Sequence, residues 1–309
     1  MTSMPSRLAL IGVPTSAGAF APGQERAPGE LRRAGLVEQL GAAGVEVEDL
    51  GDREVWRWRP DPTSPRAQNL SAVCDIVRDT AGRVERALAK GDDPLLVLGG
   101  DCTIEVGTVA GHLARGDSVG LVYFDLHPDL NTPDSARPGA LDWMGVAHML
   151  GEPGVTPELS EVGPRRPLLH DDEVLLFAYG PEQATDFERG VLRRRGLEGV
   201  PVDEVAGDPE GAAARALAGF GSRFERLLVH FDVDVIDFTD APLSENTGRN
   251  EGLALDLAMR ALAVFAASER LSALTVTELN PLHGDEERRT LARFVDALVG
   301  CLRAAPAAA

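Results

Sequence analysis

The hydrophobic residues of this chain fall into short apolar runs, separated by stretches of helical periodicity. Strands are predicted at residues 7–13, 45–50, 93–98, 119–124, 174–178, 200–205, 227–233 and 273–278. Helices are predicted at residues 30–40, 67–90, 103–114, 143–150, 183–195, 209–218, 253–267 and 286–304. Most of the strands are apolar throughout, which is typical of a parallel sheet covered by helices on both faces. Since no linker or change of composition interrupts the pattern, we expect one α/β domain over residues 1–309.

Four of these strands are followed by side chains of the kinds that bind metals. The four strand ends read Gly100-Asp101-Cys102, Asp125-Leu126-His127-Pro128-Asp129, Asp232-Val233-Asp234 and Glu278-Leu279-Asn280. Alternate residues of an extended chain point to the same side, so Asp125, His127 and Asp129 are expected to face one point. The carboxyl ends of parallel strands also meet at one edge of the sheet. These acids could instead cap helices or lie in solvated loops, but acids directly after buried strands are costly unless they are paired or bound to a metal.

The overall composition excludes several other classes of protein. The formal net charge is −19, which argues against nucleic acid or an anionic membrane as a partner. The three cysteines, Cys74, Cys102 and Cys301, are too few and too scattered for a disulfide framework. The first residues do not resemble a signal peptide, and no apolar run approaches the ~20 residues of a membrane-spanning helix. We therefore expect a soluble, cytoplasmic protein.

A site made of carboxylates and an imidazole suits Mn²⁺ or Mg²⁺, and the histidine favours a transition metal. Asp125 and Asp232 are available to bridge two ions, and two ions about 3.5–4 Å apart would activate a water as the nucleophile. The sequence has neither a phosphate-binding loop after Gly99-Gly100-Asp101 nor a Gly-x-Ser-x-Gly segment. Nearby carboxylates would raise the pKa of a Cys102 thiol unless a metal bound it as thiolate. Metal-activated water is therefore the expected chemistry.

The segments GGDCT, FDLHPDLNTP, HFDVDVID and TELNP, in this order, resemble the four signatures of the arginase–agmatinase family, the ureohydrolases. The early segment GQERAPGELRRAGL resembles the glycine-rich loop and first helix of that family, so the resemblance covers nearly the whole chain. It implies a three-layer α/β/α fold with an eight-stranded parallel sheet and a site for two Mn²⁺ ions. It also implies a homotrimer or homohexamer that hydrolyses guanidino or related C–N bonds of a small molecule, commonly releasing urea.

Position by position, the resemblance implies a set of metal ligands, which are Asp125, His127, Asp129, Asp232 and Asp234. Asp125 and Asp232 match the bridging carboxylates. Asp129 matches a ligand of the second ion that also accepts a hydrogen bond from the nucleophile. Asn131 and Thr247 match positions near the substrate. Glu278 matches the carboxylate that pairs with the guanidinium group, as a planar carboxylate suits a planar cation.

Cys102 departs from the family pattern, because a histidine usually stands at this position. A thiolate can bind a metal, but it is softer and favours Zn²⁺ or another softer ion over Mn²⁺. The alternative is that Cys102 only packs, and that a single ion is held by Asp125, His127 and Asp232.

Two further departures concern the substrate. Asp142 stands where arginases have a histidine that shuttles protons. An aspartate would need a raised pKa to act as an acid at neutral pH. The alternative is that Asp142 binds a cationic part of the substrate. Pro138 stands where arginases have a serine, and residues 178–182 do not keep the arginase pattern, which argues against plain L-arginine. The other histidines, including His148 and His230, are not placed in the predicted site.

Three hypotheses follow. The first is a metal-dependent amidinohydrolase for a guanidino compound such as agmatine, a modified arginine or a guanidino acid. The second is a related C–N hydrolase for formimino-glutamate or an acetylated polyamine. The third, motivated by Cys102, is a metal-poor binding subunit that has lost its chemistry.

Overall fold

Eight strands form one parallel sheet in the computed structural model, which describes residues 6–303. The strands are β1 (Arg7–Gly12), β2 (Glu46–Asp52), β3 (Leu95–Leu98), β4 (Val119–Phe124), β5 (Val174–Tyr179), β6 (Glu198–Pro201), β7 (Arg226–Asp232) and β8 (Leu271–Thr277). The helices are α1 (Ala27–Arg33), α2 (Leu36–Ala42), α3 (Leu70–Leu88), α4 (Ile104–Leu113), α5 (Gly145–Met149), α6 (Pro157–Ser160), α7 (Asp186–Arg195), α8 (Val202–Gly207), α9 (Pro209–Gly219), α10 (Leu255–Ala266) and α11 (Arg289–Leu302). The predicted parallel α/β fold is thereby confirmed. The N-terminal residues 1–5 and the alanine-rich tail, residues 304–309, lie outside the described residues.

The order of the strands across the sheet is β2-β1-β3-β8-β7-β4-β5-β6. The four strands in the middle, β3, β8, β7 and β4, are the four whose ends carry metal-binding side chains. The ends of neighbouring strands are level with one another: Phe124 of β4 pairs with Phe231 of β7, and Asp232 of β7 pairs with Thr277 of β8. The carboxyl ends of these strands therefore deliver their polar residues side by side, as expected for a doubly wound sheet.

Helices cover both faces of the sheet, and each face has its own apolar core. On one face, Phe124, Phe177 and Phe231 pack against α10, where the ring of Phe265 lies 4.9 Å from that of Phe177 in an edge-to-face arrangement. On the other face, residues of α3 and α4 such as Val77 pack against the sheet. This three-layer arrangement explains why most strands read as continuous apolar runs.

Some predicted elements were wrong in detail. The helix predicted at residues 30–40 is two helices, because Gly35 adopts a left-handed conformation (φ 88°) between α1 and α2. The strand predicted at residues 200–205 is only the end of β6, and Pro201 then begins the turn into α8. Residues 151–171, where neither a strand nor a helix is predicted, contain the short helix α6. In residues 6–303, no helix combines the length and the apolar character that a membrane span requires.

Candidate metal centre

The ends of the four central strands are shaped by tight backbone turns. Gly100 lies so close to the chain at Thr15 that a Cβ at this position would overlap the Thr15 carbonyl oxygen. Asp129 and Glu278 have left-handed backbones, with φ of 48° and 58°. Such conformations cost roughly 1–3 kcal/mol for residues other than glycine and are typical of functional sites. These turns aim side chains away from the strand axis toward one cavity.

Two groups of potential metal ligands lie at this edge of the sheet. The first group consists of Cys102, Asp125, His230 and Asp232, and the second consists of Asp125, His127 and Asp234. Within each group, one ligand atom from every residue lies within 4.8 Å of the others. Asp125 belongs to both groups, so the two groups are adjacent and share a carboxylate.

The contacts within the two groups are close. The Nδ1 atom of His127 lies 2.9 Å from Asp234 Oδ2 and 3.6 Å from Asp125 Oδ1. The thiol of Cys102 donates to Asp232 Oδ2 at 2.9 Å, and the backbone N–H of Asp234 donates to Asp232 Oδ1 at 2.7 Å. The buried oxygens Asp125 Oδ2 and Asp234 Oδ1 have no hydrogen-bond partner in the described part of the chain. Buried carboxylate oxygens of this kind suit metal cations, so the residues present fit a two-ion site.

The acids of the site repel one another. Burial, then the charge of Asp234, raises the pKa of Asp125 to about 6. Burial followed by neighbouring carboxylates raises the pKa of Asp232 and of the Cys102 thiol well above their ordinary values. Burial disfavours the charged forms of His127 and Asp234. Their mutual attraction and hydrogen bonds outweigh this effect, so the pKa of His127 is raised and that of Asp234 is lowered. Bound cations would relieve this repulsion.

A cavity of about 600 Å³ opens directly over these groups. Eight carboxylates line it, namely Asp129, Asp142, Glu188, Asp232, Asp234, Glu245, Glu251 and Glu278. No lysine or arginine of the described residues lines it. The cavity is therefore strongly anionic and suits a cationic ligand.

Glu278 holds a fixed orientation in this cavity. Its Oε1 accepts the backbone N–H of Cys102 at 2.9 Å, and its Oε2 accepts the side-chain amide of Gln24 at 3.0 Å. Burial, then the charge of Asp101, raises the pKa of Glu278 well above its ordinary value. A carboxylate has about four acceptor positions, so two are left for a ligand.

The other predicted site residues also line the cavity, but neither ligand group includes them. Asp129 accepts a hydrogen bond from the hydroxyl of Tyr123. Asp142 is buried, and burial followed by the charge of Glu278 raises its pKa well above its ordinary value. Asn131 is held by Ser135, whose hydroxyl donates to Asn131 Oδ1 at 2.9 Å, and Thr247 is exposed.

The sequence analysis missed His230. The local signal was present, because His230 and Asp232 are two residues apart on β7 and alternate residues of a strand share a side. In contrast, His148 is buried away from the cavity, with Nδ1 2.7 Å from Met144 O and Nε2 2.8 Å from Thr156 Oγ1.

Comparisons with known proteins identify the family of this chain. A model of the arginase family matches residues 6–302. The chain belongs to the arginase family. The arginase of Bacillus caldovelox is 28% identical over 300 residues, which cover 96% of this chain and 97% of that protein. Human arginase-1 is 26% identical, with coverage of 97% of this chain and 94% of that protein.

Solved structures of the family share the fold. The Bacillus caldovelox arginase structure superimposes with a TM-score of 0.81 at 28% identity, over 99% of this chain and 100% of that chain. Formimidoylglutamase of Bacillus subtilis has the same fold, with a TM-score of 0.73 at 18% identity over 96% of this chain and 86% of that chain. Arginase-family proteins are hydrolases that depend on two metal ions, and this chain is a metal-binding ureohydrolase-type enzyme that acts on a small molecule. The hypothesis of a binding subunit without chemistry is therefore set aside.

Proposed function

We propose that this enzyme hydrolyses a C–N bond of a cationic guanidino compound and releases urea. The observation that supports this most directly is the position of Glu278: an oriented carboxylate that lines the same cavity as the metal ligands Asp232 and Asp234. A guanidinium group offers parallel N–H donors to such a carboxylate, which fixes the reacting carbon as well as neutralising the charge.

We propose two metal ions, one held by the group with Cys102 and one by the group with His127, with Asp125 shared and Asp232 near both. Ions bound there would lower the pKa of a water and so supply the nucleophile at neutral pH. Mn²⁺ is proposed for the group with His127, because its ligands are an imidazole and hard carboxylates.

The remaining acids have distinct proposed roles. Asp129 lies outside both ligand groups; it would accept a hydrogen bond from the attacking water and contact the second ion, while the Tyr123 hydroxyl donates to its Oδ2. Asp142, whose pKa is raised by burial, is the proposed acid that would give a proton to the departing amine. Asn131 and Thr247, which also line the cavity, would contact the substrate.

The far end of the substrate is proposed to be uncharged or cationic. A carboxylate at that end would enter a cavity lined by eight acids, without a lysine or arginine from the described residues to pair with it. The cavity is also lined by Phe20 and Trp143, whose rings lie 5.8 Å apart and which are 42% and 37% exposed, so they offer an apolar contact. An agmatine-like amine fits this lining better than L-arginine or a guanidino acid.

Urea release from a matched panel tests this proposal. The panel contains agmatine, L-arginine and a guanidino acid of similar length, each assayed with protein loaded with Mn²⁺, with Zn²⁺ or with both. We expect the highest kcat/KM for agmatine or another guanidino amine. Absence of urea from every compound with every loading would refute the proposal, and chelator-treated protein is the control.

A second candidate is hydrolysis of an acetylated polyamine. It is favoured by the thiol in the first ligand group, which suits a softer ion, and by the anionic cavity, which suits a polyamine chain. Formimino-glutamate is less suitable, because its two carboxylates would enter the same anionic cavity. The product distinguishes the three reactions: urea, acetate or formamide.

Assembly as a homotrimer or homohexamer remains a prediction from the family resemblance. Sedimentation equilibrium of the purified protein measures it directly.

A further inference from the structure

The imidazole of His230 lies between the first ligand group and a second carboxylate to which the proposed reaction gives no role. Its Nε2 atom is 3.3 Å from Thr277 Oγ1, and that hydroxyl is 3.4 Å from the Cys102 sulfur. Its Nδ1 atom is 3.5 Å from Oε2 of Glu105. One ring nitrogen thus faces the metal ligands and the other faces Glu105.

Glu105 is an unusual residue for its position. It lies on α4, is completely buried, and neither of its carboxylate oxygens has a hydrogen-bond partner within residues 6–303. A buried carboxylate without compensation is costly. A basic group, His230 Nδ1, lies 3.5 Å from Glu105 Oε2, and it is itself buried and has no hydrogen-bond partner among the described residues.

The plane of the imidazole is also fixed. The ring of His230 stacks on that of Tyr123, with centroids 4.2 Å apart and planes inclined by 4°. The stacking leaves the two nitrogens at the ring edge, one toward Cys102 and Asp232 and one toward Glu105. A ligand histidine whose second nitrogen donates to a carboxylate is a frequent arrangement in metalloproteins, because the carboxylate fixes the tautomer and makes the ligand nitrogen more basic.

We propose that His230 binds the first metal ion through Nε2, with Glu105 as the positioning residue that accepts the Nδ1 hydrogen. This inference rests on the proposed function in that it requires metal binding at the first ligand group. The group then supplies one thiolate, one imidazole and two carboxylates, four ligands that suit a tetrahedral ion such as Zn²⁺. The second group has no sulfur, so the two positions differ in the metal that they select.

Zinc binding to metal-free protein tests the role of His230. We expect His230→Gln to weaken the tight Zn²⁺ site by at least about tenfold, the lower end of the effect seen even for residues that only support a ligand. Mn²⁺ binding at the second group should change much less. His148→Gln is the matched control, because His148 is equally buried but lies away from the cavity. Zinc affinity of His230→Gln equal to that of the unaltered protein would overturn the proposal.

X-ray absorption spectroscopy on the unaltered protein shows whether His230 binds the first ion, even if His230→Gln does not fold. With one equivalent of Zn²⁺, we expect one sulfur at about 2.3 Å and imidazole nitrogen at about 2.0–2.1 Å on the same ion. Cys102 and His127 belong to different ligand groups, so an imidazole beside the sulfur identifies His230. A sulfur without imidazole, or no sulfur at all, would overturn the proposal.

Glu105→Gln tests the positioning residue. The amide oxygen can still accept the Nδ1 hydrogen, but the negative charge is lost. We expect Zn²⁺ affinity to fall about 10- to 100-fold. In the Co²⁺-loaded variant, the ligand-field bands should shift while the thiolate charge-transfer band is retained. An unchanged affinity together with an unchanged Co²⁺ spectrum would remove Glu105 from the proposal.

These measurements are independent of catalysis. Zinc bound as proposed, without urea from any substrate, would refute the proposed function and leave the metal site standing. Urea release by the unaltered protein, together with normal zinc binding by His230→Gln, would support the proposed function and refute the proposed role of His230.

Discussion

Replacing Glu278 with glutamine tests the proposed recognition of the guanidinium group. The two oxygens of Glu278 accept hydrogen bonds from Cys102 N–H and from Gln24 Nε2. Gln24 Oε1 is buried and has no partner among the described residues, so rotation of the Gln24 amide by 180° would let it accept from the new side-chain NH₂. All the internal hydrogen bonds are then retained, and the variant should fold normally.

The effect on activity should be large. Loss of one partner from a buried, hydrogen-bonded charge pair costs about 2–5 kcal/mol. Since 1.36 kcal/mol corresponds to a factor of ten, kcat/KM should fall by about 30-fold to several thousand-fold. The free energy of unfolding should be unchanged or higher, because the substitution removes a buried carboxyl group whose pKa is raised by burial and by the charge of Asp101.

The assay is urea release from the best substrate of the panel, with metal content and urea-induced unfolding measured on the same preparation. Glu245→Gln is the matched control, because Glu245 is also buried and lines the same cavity, and its hydrogen bond is to Asn280 rather than to Cys102. We expect Glu245→Gln to retain most of the activity. Equal losses in the two variants would show that only the overall negative charge matters, and an unchanged kcat/KM in Glu278→Gln would refute the proposed recognition.

The remaining predictions concern stability. Burial lowers the pKa of His112 and of His148 from 6.5 to about 4. The unfolded chain therefore takes up protons at a higher pH than the folded protein, so stability that is present above pH 6.5 is lost as the pH falls toward 4. The loss is roughly 3 kcal/mol for each histidine. Unfolding by urea at several pH values checks this, and His148→Gln should show a smaller pH dependence than the unaltered protein; an equal dependence would contradict the reasoning. Phe177→Ala should lower the free energy of unfolding by about 3–5 kcal/mol, because the ring is fully buried between Phe124 and Phe265; a loss below about 1 kcal/mol would be inconsistent with this packing. Removal of metal by a chelator should lower the thermal midpoint, and each ion restored at about a hundred times its Kd should return about 2.7 kcal/mol; a midpoint insensitive to both treatments would argue against metal binding.

The clustering of several candidate ligands could be predicted from the sequence. A strand presents alternate residues to one side, so the spacing of Asp125 and His127, and of Asp232 and Asp234, predicted shared ligand groups before any strand order was known. The structure places all four in the two groups. In contrast, Asp129 follows the same spacing but lies in neither group, because the chain turns at this residue (φ 48°) and its carboxylate meets the Tyr123 hydroxyl.

Other features depended on backbone geometry that hydrophobic periodicity does not report. The apolar pattern of residues 30–40 continues across Gly35, yet the left-handed backbone there divides the helix in two. The apolar residues near residue 200 suit either a strand or a helix. The chain pairs with β5 as strand β6 up to Pro201, and it continues as helix α8 after that residue.

The sequence by itself predicted the parallel α/β fold and the candidate ligands at the strand ends, because both depend on local spacing and on the chemistry of single residues, whereas the reaction class followed from the resemblance of its motifs to a known family. Only the tertiary structure decided which strands are neighbours, since the order β3-β8-β7-β4 is set by crossover connections and not by any local pattern. That order brings Cys102 to Asp232, and it brings Glu105 on α4 to His230 on β7. The pairing of Glu105 with His230 joins two residues far apart in the chain, and neither shows its role until the sheet and its covering helix are assembled.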